Sequence, residues 1–479
     1  MTEFARAGLQ VVLYPEEQVS TQVASFKKQN GFVKSSTLLL LAFATAFFPR
    51  VLTSAGAPSM INFVHFATIP LACGLAIANT RTRDQKQIAA SKAFLVGLIT
   101  LFTIVVASAL LNKAGLGNLF LEFLLLSEPL MLLLAITSSA MSTKSVERFR
   151  LWVIFFASIN LWFALVQKYI LHYDRLRPIA GQDLIQGVFY FSGGGHVVSA
   201  SISMTFGVYY FVTAKARPLW IRGVVLLAAI MQVIASDTKQ VFLAFFMSVV
   251  VLLSLKIRKL EKILQYLAIF GLAIGALYGA VQSGIYENGE LVYWLTNPDK
   301  MTNGLELKFS VFSIVPPYYH SSLNWLLGLG PGHTVGRLGG WMLRDYSSLL
   351  KPFDTTISPV SQAVWDVVSS NSEGDKSSLF SPFFGWAGIW GDLGISGLGA
   401  YGSILFLVWR HFCLDDLSKF ILITVLAFGT IFTQLEEPGY MLFVVSLIGI
   451  RWQEHQSKKR ASQYQVVQKQ VTESISISS

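Results

Sequence analysis

The chain of 479 residues is 53% hydrophobic and only 13% charged, whereas about a quarter of the residues of a soluble globular protein are charged. This composition excludes an ordinary soluble protein and predicts one that crosses a membrane several times. The net charge of +10 does not indicate a nucleic-acid partner, because the lysines and arginines lie mostly in short connections between apolar segments, where they orient membrane helices.

The N-terminal segment, residues 1–34, is polar and contains no signal-peptide pattern, so the first apolar segment is predicted to be an uncleaved targeting helix. Most of the apolar segments approach the ~20 residues that a membrane-spanning helix needs. The predicted spans are 35–49, 59–79, 93–111, 119–141, 151–171, 194–213, 219–236, 240–255, 263–282, 385–409, 419–434 and 438–450. We therefore expect an all-α polytopic membrane protein of about 12 transmembrane helices, nine in residues 35–282 and three in residues 385–450.

Basic residues are concentrated in every second connection, and cytoplasmic loops are the ones that carry Lys and Arg. The strongly basic connections are 81–92, 144–150, 215–222 and 256–262. Both termini are therefore predicted to be cytoplasmic. The tail, 451–479, lacks hydrophobic periodicity beyond about Lys458 and is predicted to be disordered there. Cys73 and Cys413 fall in or beside distant spans, which indicates neither a disulfide framework nor a metal site.

The long connection 283–384 lies on the outer face in this topology and contains no apolar segment of membrane-spanning length. A connection this long is usually functional or disordered. Its first half is rich in Tyr and Trp, which disordered segments lack. These residues are Tyr286, Tyr293, Trp294, Tyr318, Tyr319 and Trp325. We therefore expect a folded, partly helical extracytoplasmic loop that faces a ligand.

Cations on the outer face need a reason other than membrane insertion, and in this chain they are few and clustered. The candidates are Arg175 and Arg177 after the fifth span, Lys239 between the seventh and eighth spans, and His333, Arg337 and Arg344 in the long connection. Guanidinium groups bind phosphate oxygens bidentately, while lysine acts as a point charge. The set would suit a pyrophosphate group. The alternative is structural: Arg175 and Arg177 pair with Asp174, Lys239 pairs with Asp237, and the loop cations are solvated.

Individual residues favour function to different degrees. Lys239 lies in a turn of few residues at the membrane face, where an unpaired charge is costly. His333 follows a Gly-Pro-Gly turn and is a candidate acid or base, although a loop histidine is more often a plain turn residue. Asp392 lies at the mouth of the tenth predicted span, where an ionisable residue indicates function. Glu436 and Glu437 could be general bases, but they are more typical of an exposed acidic turn.

At these residues the chain resembles the O-antigen polymerase and O-antigen ligase family of bacterial envelope glycosyltransferases of the C type. The resemblance covers about residues 170–450. It rests on the order of the Ser236-Asp-Thr-Lys239 turn, the Gly328-Leu-Gly-Pro-Gly332 segment and the Asp392-Leu-Gly-Ile-Ser-Gly397 helix. It implies an inverting glycosyltransferase that needs no metal or other cofactor and acts on glycans linked to undecaprenyl pyrophosphate. The active site would face the periplasm, in the bacterial inner (plasma) membrane.

Two departures from the family pattern affect the expected reaction. Lys239 stands where the family turn usually carries Arg, which keeps the charge but loses the bidentate fork. The ligases carry a His-Asn pair at the loop exit, where this chain has Ser381-Pro-Phe-Phe384. The missing His favours a polymerase, or a related exopolysaccharide enzyme, and leaves the general base unassigned.

The resulting prediction is transfer of a glycan from undecaprenyl pyrophosphate to a sugar hydroxyl of a second lipid-linked glycan. His333, Lys239 and Arg337 are the expected catalytic residues. Pyrophosphate or glycan binding is expected of Arg175, Arg177, Lys239, Arg337, Arg344 and Asp392. Membrane lipid, a flippase and a chain-length regulator are the further candidate partners.

The sequence leaves three other functions open. A ligase would transfer the glycan to lipid A-core, and an oligosaccharyltransferase of the same family would transfer it to protein. A secondary transporter would also have about twelve spans with both termini inside. Against transport, the two halves show no repeat and most spans lack a central acidic residue, Glu122 and Glu128 being the chief exceptions.

Overall fold

A computed structural model describes six continuous stretches of the chain, 35–78, 85–139, 141–177, 181–256, 297–371 and 378–478. The predicted N-terminal segment 1–34, the predicted span 263–282 and residues 283–296, which open the long connection, lie outside these stretches.

Helices make up most of the described residues, and no strand occurs among them. Most of the longer helices are apolar around their whole circumference, as expected of helices surrounded by lipid or by other helices. The longer helices are α1 (Ser35–Phe47), α2 (His65–Ala78), α3 (Gln85–Asn112), α4 (Leu116–Ser138), α5 (Thr143–Tyr169), α6 (Gly195–Thr213), α7 (Leu219–Ala235), α8 (Lys239–Lys256), α9 (Pro298–Phe309), α10 (Pro359–Ser370), α11 (Gly385–His411), α12 (Asp416–Gly429) and α13 (Pro438–Ser478).

Within the described residues, six helices are long and apolar enough to cross a membrane. They are Ser59–Ala78, Gln87–Asn112, Leu116–Ser138, Thr143–Tyr169, Lys239–Lys256 and Gly385–His411. Two further apolar helices, Ser36–Phe47 and Leu219–Ala235, are shorter. The described part of the chain is therefore all-helical, and its apolar helices are compatible with a membrane-embedded protein. The count of about twelve spans stays a prediction.

The centre of the helical assembly is α4, the most enclosed of these six helices, which packs against the first half of α13. Residues 433–450 are buried without interruption. Gly449 allows the two helices to approach closely, because a Cβ there would lie 2.7 Å from the Ile136 side chain. Beyond it, the Gln453 side-chain amide donates to the carbonyl groups of Ile136 (2.6 Å) and Ser139 (2.9 Å) at the end of α4. These bonds satisfy carbonyls that a helix end otherwise leaves unpaired.

The described part of the long connection, 297–371 and 378–384, consists of short helices joined by turns. An apolar cluster holds it together and attaches it to the start of α11. Its fully buried members include Val311, Val335 and Val364. Trp365 adds a side-chain hydrogen bond to the Gly340 carbonyl (2.6 Å).

The C-terminal tail differs from the expectation of disorder after Lys458. In the structure α13 continues through it as far as Ser478. The buried first half of this helix has already met the cost of nucleation, and Gln, Lys, Arg and Glu in the extension are good helix formers.

Candidate functional site

A break in α11 places the long connection against the helix assembly. Gly394, with φ of 66° and ψ of −163°, lies outside the helical region. The carbonyl groups just before the break accept hydrogen bonds from the connection instead. The Leu329 amide donates to the Gly391 carbonyl (2.8 Å), and the Gly330 amide donates to the Asp392 carbonyl (3.1 Å). Interrupted helix backbone inside a membrane protein is stable only where such partners exist.

The Asp392 side chain fixes the same segment. It is fully buried and accepts three hydrogen bonds. The Gly332 amide donates to Oδ2 (3.1 Å), while the Thr334 amide and hydroxyl donate to Oδ1 (2.7 and 2.6 Å). In this structure Asp392 therefore anchors the Gly-rich segment of the connection to α11.

Arg337 joins the connection to the turn between α12 and α13. Its backbone amide donates to Glu436 Oε2, and its guanidinium forms an ion pair with Glu437 Oε2. Both glutamates are buried, so the expectation of an exposed acidic turn at Glu436 and Glu437 is wrong. The turn is buried because the connection folds over it and supplies a positive charge.

Burial shifts the pKa values of the ionisable groups at this junction. Burial, with the charge of Asp392, raises the pKa of Glu436 to about 8. Burial also lowers the pKa of Arg337 to about 10, and the neighbouring positive charge of Arg50 adds to that effect. The Arg337 guanidinium also lies 5.8 Å from the centre of the Trp341 ring. A site of this kind, enclosed and rich in shifted ionisable groups, is a functional-site candidate.

Gly336 is the point where the acidic groups converge. A Cβ on this residue would lie 3.1 Å from Glu436 Oε2 and 3.2 Å from Asp392 Oδ2. Glu122 of α4 is fully buried, within electrostatic reach of both carboxylates. Neither of its carboxylate oxygens has a hydrogen-bond partner in the described part of the chain. The site therefore combines three buried carboxylates, a fourth in Glu437, and the guanidinium of Arg337.

His333 lies in the same segment but does not face an open space. Its Nδ1 is 2.9 Å from the Leu329 carbonyl oxygen, and its Nε2 is 2.8 Å from Thr356 Oγ1. Burial lowers its pKa. With both ring nitrogens engaged, His333 holds two parts of the connection together in this structure.

Arg344 is at the surface of the connection. It forms an ion pair with Asp345 (3.1 Å) and lies over the Trp365 ring, 4.1 Å from the ring centre. Both partners of the ion pair are about half exposed.

The remaining predicted cations, Arg175, Arg177 and Lys239, form no polar contact with Arg337 in the described part of the chain. Arg175 and Arg177 are exposed, and among the described residues no ion pair or hydrogen bond links either of them to Arg337. Asp174, the partner considered for them, instead binds Lys168 (2.8 Å), which holds the pKa of Asp174 below its usual range. Lys239, the first residue of α8, forms the considered ion pair with Asp237 (2.9 Å).

Sequence reasoning did not place Glu122 or Arg50 near this junction, where their charges act on Glu436, Asp392 and Arg337. Glu122 carried a signal, because an acidic residue inside an apolar span is functional by default. The sequence shows Arg50 only as a single cation after the first predicted span, and this position alone does not indicate a contact with the long connection. Among the described residues, no group of three or more His, Cys, Asp and Glu side chains is arranged to hold a metal ion.

No protein-family model matches the sequence, and no curated protein matches it.

Proposed function

We propose that the chain is an O-antigen or exopolysaccharide polymerase-like glycosyltransferase of the bacterial inner membrane. Its donor is a glycan on undecaprenyl pyrophosphate, its acceptor is a sugar hydroxyl, and its site faces the periplasm. The observation that carries the proposal is the junction at which the long connection brings Arg337 together with Asp392, Glu436 and Glu437. A positioned cation can stabilise a departing pyrophosphate, and a carboxylate of raised pKa can act as a general base.

In the proposed reaction the acceptor hydroxyl oxygen attacks the anomeric carbon, and the bond from that carbon to the pyrophosphate oxygen breaks. The hydroxyl proton passes to Glu436. Its Oε1 has no hydrogen-bond partner in the described part of the chain. Because the pKa of Glu436 is about 8, only the fraction of the protein in which Glu436 has lost its proton can use it as the base, and that fraction rises as the pH approaches 8. The guanidinium of Arg337 stabilises the negative charge that develops on the departing pyrophosphate.

Access to this base requires movement, because Glu436 is fully buried. Gly336 and Arg337 of the connection contact Glu436, and the segment just before them contains Gly328, Gly330 and Gly332, all with positive φ. Segments with such residues can act as hinges for substrate entry. The acceptor would reach Glu436 when this segment moves away from α11.

Polymerase is favoured over ligase at the exit of the connection. Phe383 and Phe384 are buried there in the apolar cluster, and neither can serve as the acid or base that the ligase His would supply. The ligase and the protein oligosaccharyltransferase remain alternatives that differ in acceptor.

The test is the surface polysaccharide of a strain that lacks the gene, compared on a gel with strains complemented by wild type, Arg337→Ala or Lys239→Ala. Lys113→Ala is the matched control, because Lys113 is an exposed cation at another helix end. Immunoblots of the membrane fraction check that each variant inserts. Single-repeat products in the deletion and Arg337→Ala strains support a polymerase. Full-length polymer left on its lipid carrier would indicate a ligase, and an unchanged pattern would contradict both.

A secondary transporter is the second candidate, and the break in α11 favours it. Transporters bind ions where membrane helices are interrupted, and Asp392 lies two residues before the break, near the unpartnered carboxylate of Glu122. Proteoliposomes that enclose a pH-sensitive dye test this alternative. Proton entry driven by a pH gradient, lost in Asp392→Asn, would support transport; vesicles that stay tight to protons would exclude proton coupling.

A further inference from the structure

Helix α9 (Pro298–Phe309), the first helix of the described long connection, leaves a row of large apolar side chains exposed. The side chains of this apolar row are three or four residues apart, and residues at that spacing are neighbours on one side of a helix. The row consists of Met301, Leu305 and Phe309, and of Phe312 in the short helix that follows (Val311–Ile314). Each is between 41% and 52% exposed. Contiguous apolar surface of this kind marks contact with a partner or a membrane.

The exposed polar side chains of the same stretch lie beside the apolar row and not within it. They are Thr302, Asn303, Glu306 and Ser313. With 3.6 residues per turn, the apolar row covers an arc of about 80°, and these polar residues cover the next arc of about 100°. The remaining arc contains Gly304, Leu307 and Val311, which are buried against the protein. A helix surrounded by water has no reason to sort its exposed side chains, whereas a helix at a boundary between lipid and water does.

Ring contacts continue the apolar row to α11 and beyond it. The Phe312 ring lies 6.3 Å from the Phe309 ring and 5.0 Å from the Trp390 ring of α11. Trp390 also lies 6.5 Å from the Tyr319 ring, which meets the Trp325 ring edge to face at 5.0 Å. The exposed apolar surface therefore extends from α9 across α11 to the turn around Trp325.

The turn around Trp325 is fixed to the end of a candidate membrane helix. The fully buried Asn324 side chain donates from its amide nitrogen to Asn112 Oδ1 (2.8 Å) and to the Gly328 carbonyl (2.7 Å). Asn112 is the last residue of α3. The apolar side chains around Asn324 stay about half exposed, and they are Leu323, Trp325 and Leu326.

The length of α11 places this surface at the edge of the lipid. From Asp392 to His411, α11 rises about 28 Å at ~1.5 Å per residue, which is close to the ~30 Å thickness of the hydrocarbon core. Asp392 then lies at one boundary of the core, where its carbonyl accepts a hydrogen bond from Ser108 near the end of α3 (2.8 Å). Trp390 is two residues from this boundary, and the Leu326 backbone contacts Gly394. Tryptophan and tyrosine side chains prefer this depth.

We propose that α9 and the turn around Trp325 form an interfacial anchor, which lies in the outer boundary of the bilayer. The apolar row contacts lipid acyl chains, and the polar side chains beside it face water. The partner is the phospholipid surface itself. The polar side carries one charge among the four residues, the carboxylate of Glu306, so the anchor binds through buried apolar area and not through attraction to anionic head groups.

The composition of the row selects lipid over a glycan. Sugars stack on aromatic rings, but Met301 and Leu305 offer a sugar neither a ring nor a hydrogen bond. Continuity with Trp390 and the level of Asn112 favour the bilayer over a soluble partner. A second copy of the chain, or another segment of it, is an outcome that the test detects.

The experiment maps the surroundings of single nitroxide labels on the full-length protein in vesicles of phosphatidylethanolamine and phosphatidylglycerol. Cys73 and Cys413, both buried, are first replaced by alanine. The labelled variants of the apolar surface are Leu305→Cys, Phe309→Cys and Leu326→Cys. Their matched controls, at exposed polar positions nearby, are Asn303→Cys, Glu306→Cys and Ser322→Cys. Collision rates of each label are measured with oxygen, which concentrates in lipid, and with a nickel chelate, which stays in water.

The labels of the apolar surface should show an oxygen-to-nickel collision ratio at least about threefold above that of the controls, because an interfacial helix buries its apolar face ~5–10 Å deep. Frequent nickel collisions at all six positions would overturn the proposal. Rare collisions with both reagents at the apolar positions would overturn it too, because protein would then cover the row. Line broadening that grows with the protein-to-lipid ratio would identify that cover as a second copy.

Met301→Cys gives a second reading of the row if the label at Phe309 disturbs its stacking on Phe312. Melting temperature and gel-filtration volume are recorded for every labelled variant. The anchor requires only that the protein is embedded in a membrane, not that it is a glycosyltransferase. Lipid-facing labels in a protein whose deletion leaves the surface polysaccharide unchanged would therefore support the anchor and contradict the proposed function.

Discussion

Gly328 of the long connection lies against the backbone of α11 at Asp392, and Gly394 of α11 lies against the backbone of the connection at Leu326. A Cβ on Gly328 would lie 2.3 Å from the carbonyl carbon of Asp392, and a Cβ on Gly394 would lie 2.4 Å from the carbonyl carbon of Leu326. Both residues also have positive φ, 71° and 66°, a region that side chains disfavour. The long connection can therefore pass close to the break in α11 only because Gly328 and Gly394, the residues in contact there, have no side chain.

Replacement of either glycine by alanine is expected to separate the connection from α11. The backbone conformation alone costs about 1–3 kcal/mol, and the clash with a carbonyl group adds to it. Gly394→Ala and Gly328→Ala should therefore lower the melting temperature in detergent and expose the connection to limited proteolysis.

Gly399→Ala is the control for Gly394→Ala. Gly399 lies in the same helix and has open space around the position of a Cβ, so alanine there should be neutral or stabilise by about 0.5–1 kcal/mol. Equal melting temperatures for the Gly394 and Gly399 variants would contradict the crossing.

Substitutions of Asp392 should loosen the same crossing in a graded order. Asp392→Ala leaves three buried donors of Gly332 and Thr334 without an acceptor, at about 1–3 kcal/mol for each. Asp392→Asn keeps one acceptor oxygen, and Thr334→Val removes a single donor. Protease sensitivity of the connection is expected to rise from Thr334→Val through Asp392→Asn to Asp392→Ala. An Asp392→Ala protein as resistant as wild type would show that this carboxylate does not anchor the connection.

The ion pair of Arg337 with Glu437 allows stability to be separated from activity. Removal of one partner from a buried pair leaves an uncompensated charge and costs about 3–5 kcal/mol. Arg337→Met and Glu437→Met should therefore each lower the melting temperature. The double variant should recover much of the loss, because an apolar pair of similar size needs no desolvation of charge.

Activity should not recover with stability in that double variant, since the cation for the leaving group is still missing. The measurement is the polysaccharide gel together with the melting temperature of each purified variant. Wild-type chain length in a stable double variant would remove Arg337 from the proposed chemistry.

Local sequence predicted the helices well where apolar runs were long. The predicted spans 119–141 and 240–255 correspond to the observed helices Leu116–Ser138 and Lys239–Lys256. Hydrophobicity decides these elements within a few turns of the chain. The break in α11 was not predicted, because Gly391, Gly394 and Gly397 are equivalent by sequence and only the distant backbone of the connection selects Gly394.

The candidate site, like the break in α11, depends on contacts between residues far apart in the sequence. Arg337 and Asp392 were singled out from sequence, since a loop cation and a carboxylate in an apolar helix are both informative. Their surroundings depended on contacts between segments about a hundred residues apart, such as that of Arg337 with Glu437. Charge alone could not show that the acidic turn is buried or that Asp174 binds Lys168 rather than an arginine.

Glu436 should give the stability of the protein a pH dependence of predictable sign. Its pKa rises from an ordinary 4.5 to about 8 in the folded protein, so between these values the folded state holds a proton that the unfolded state has released. The stabilisation is complete below pH 4.5 and is lost as pH rises through 8. Glu436→Gln, which is always neutral, should flatten the decline in melting temperature between about pH 5 and pH 8. Glu147→Gln, at an exposed site, is the control and should keep the wild-type slope. A decline that persists unchanged in Glu436→Gln would mean that another group binds the proton.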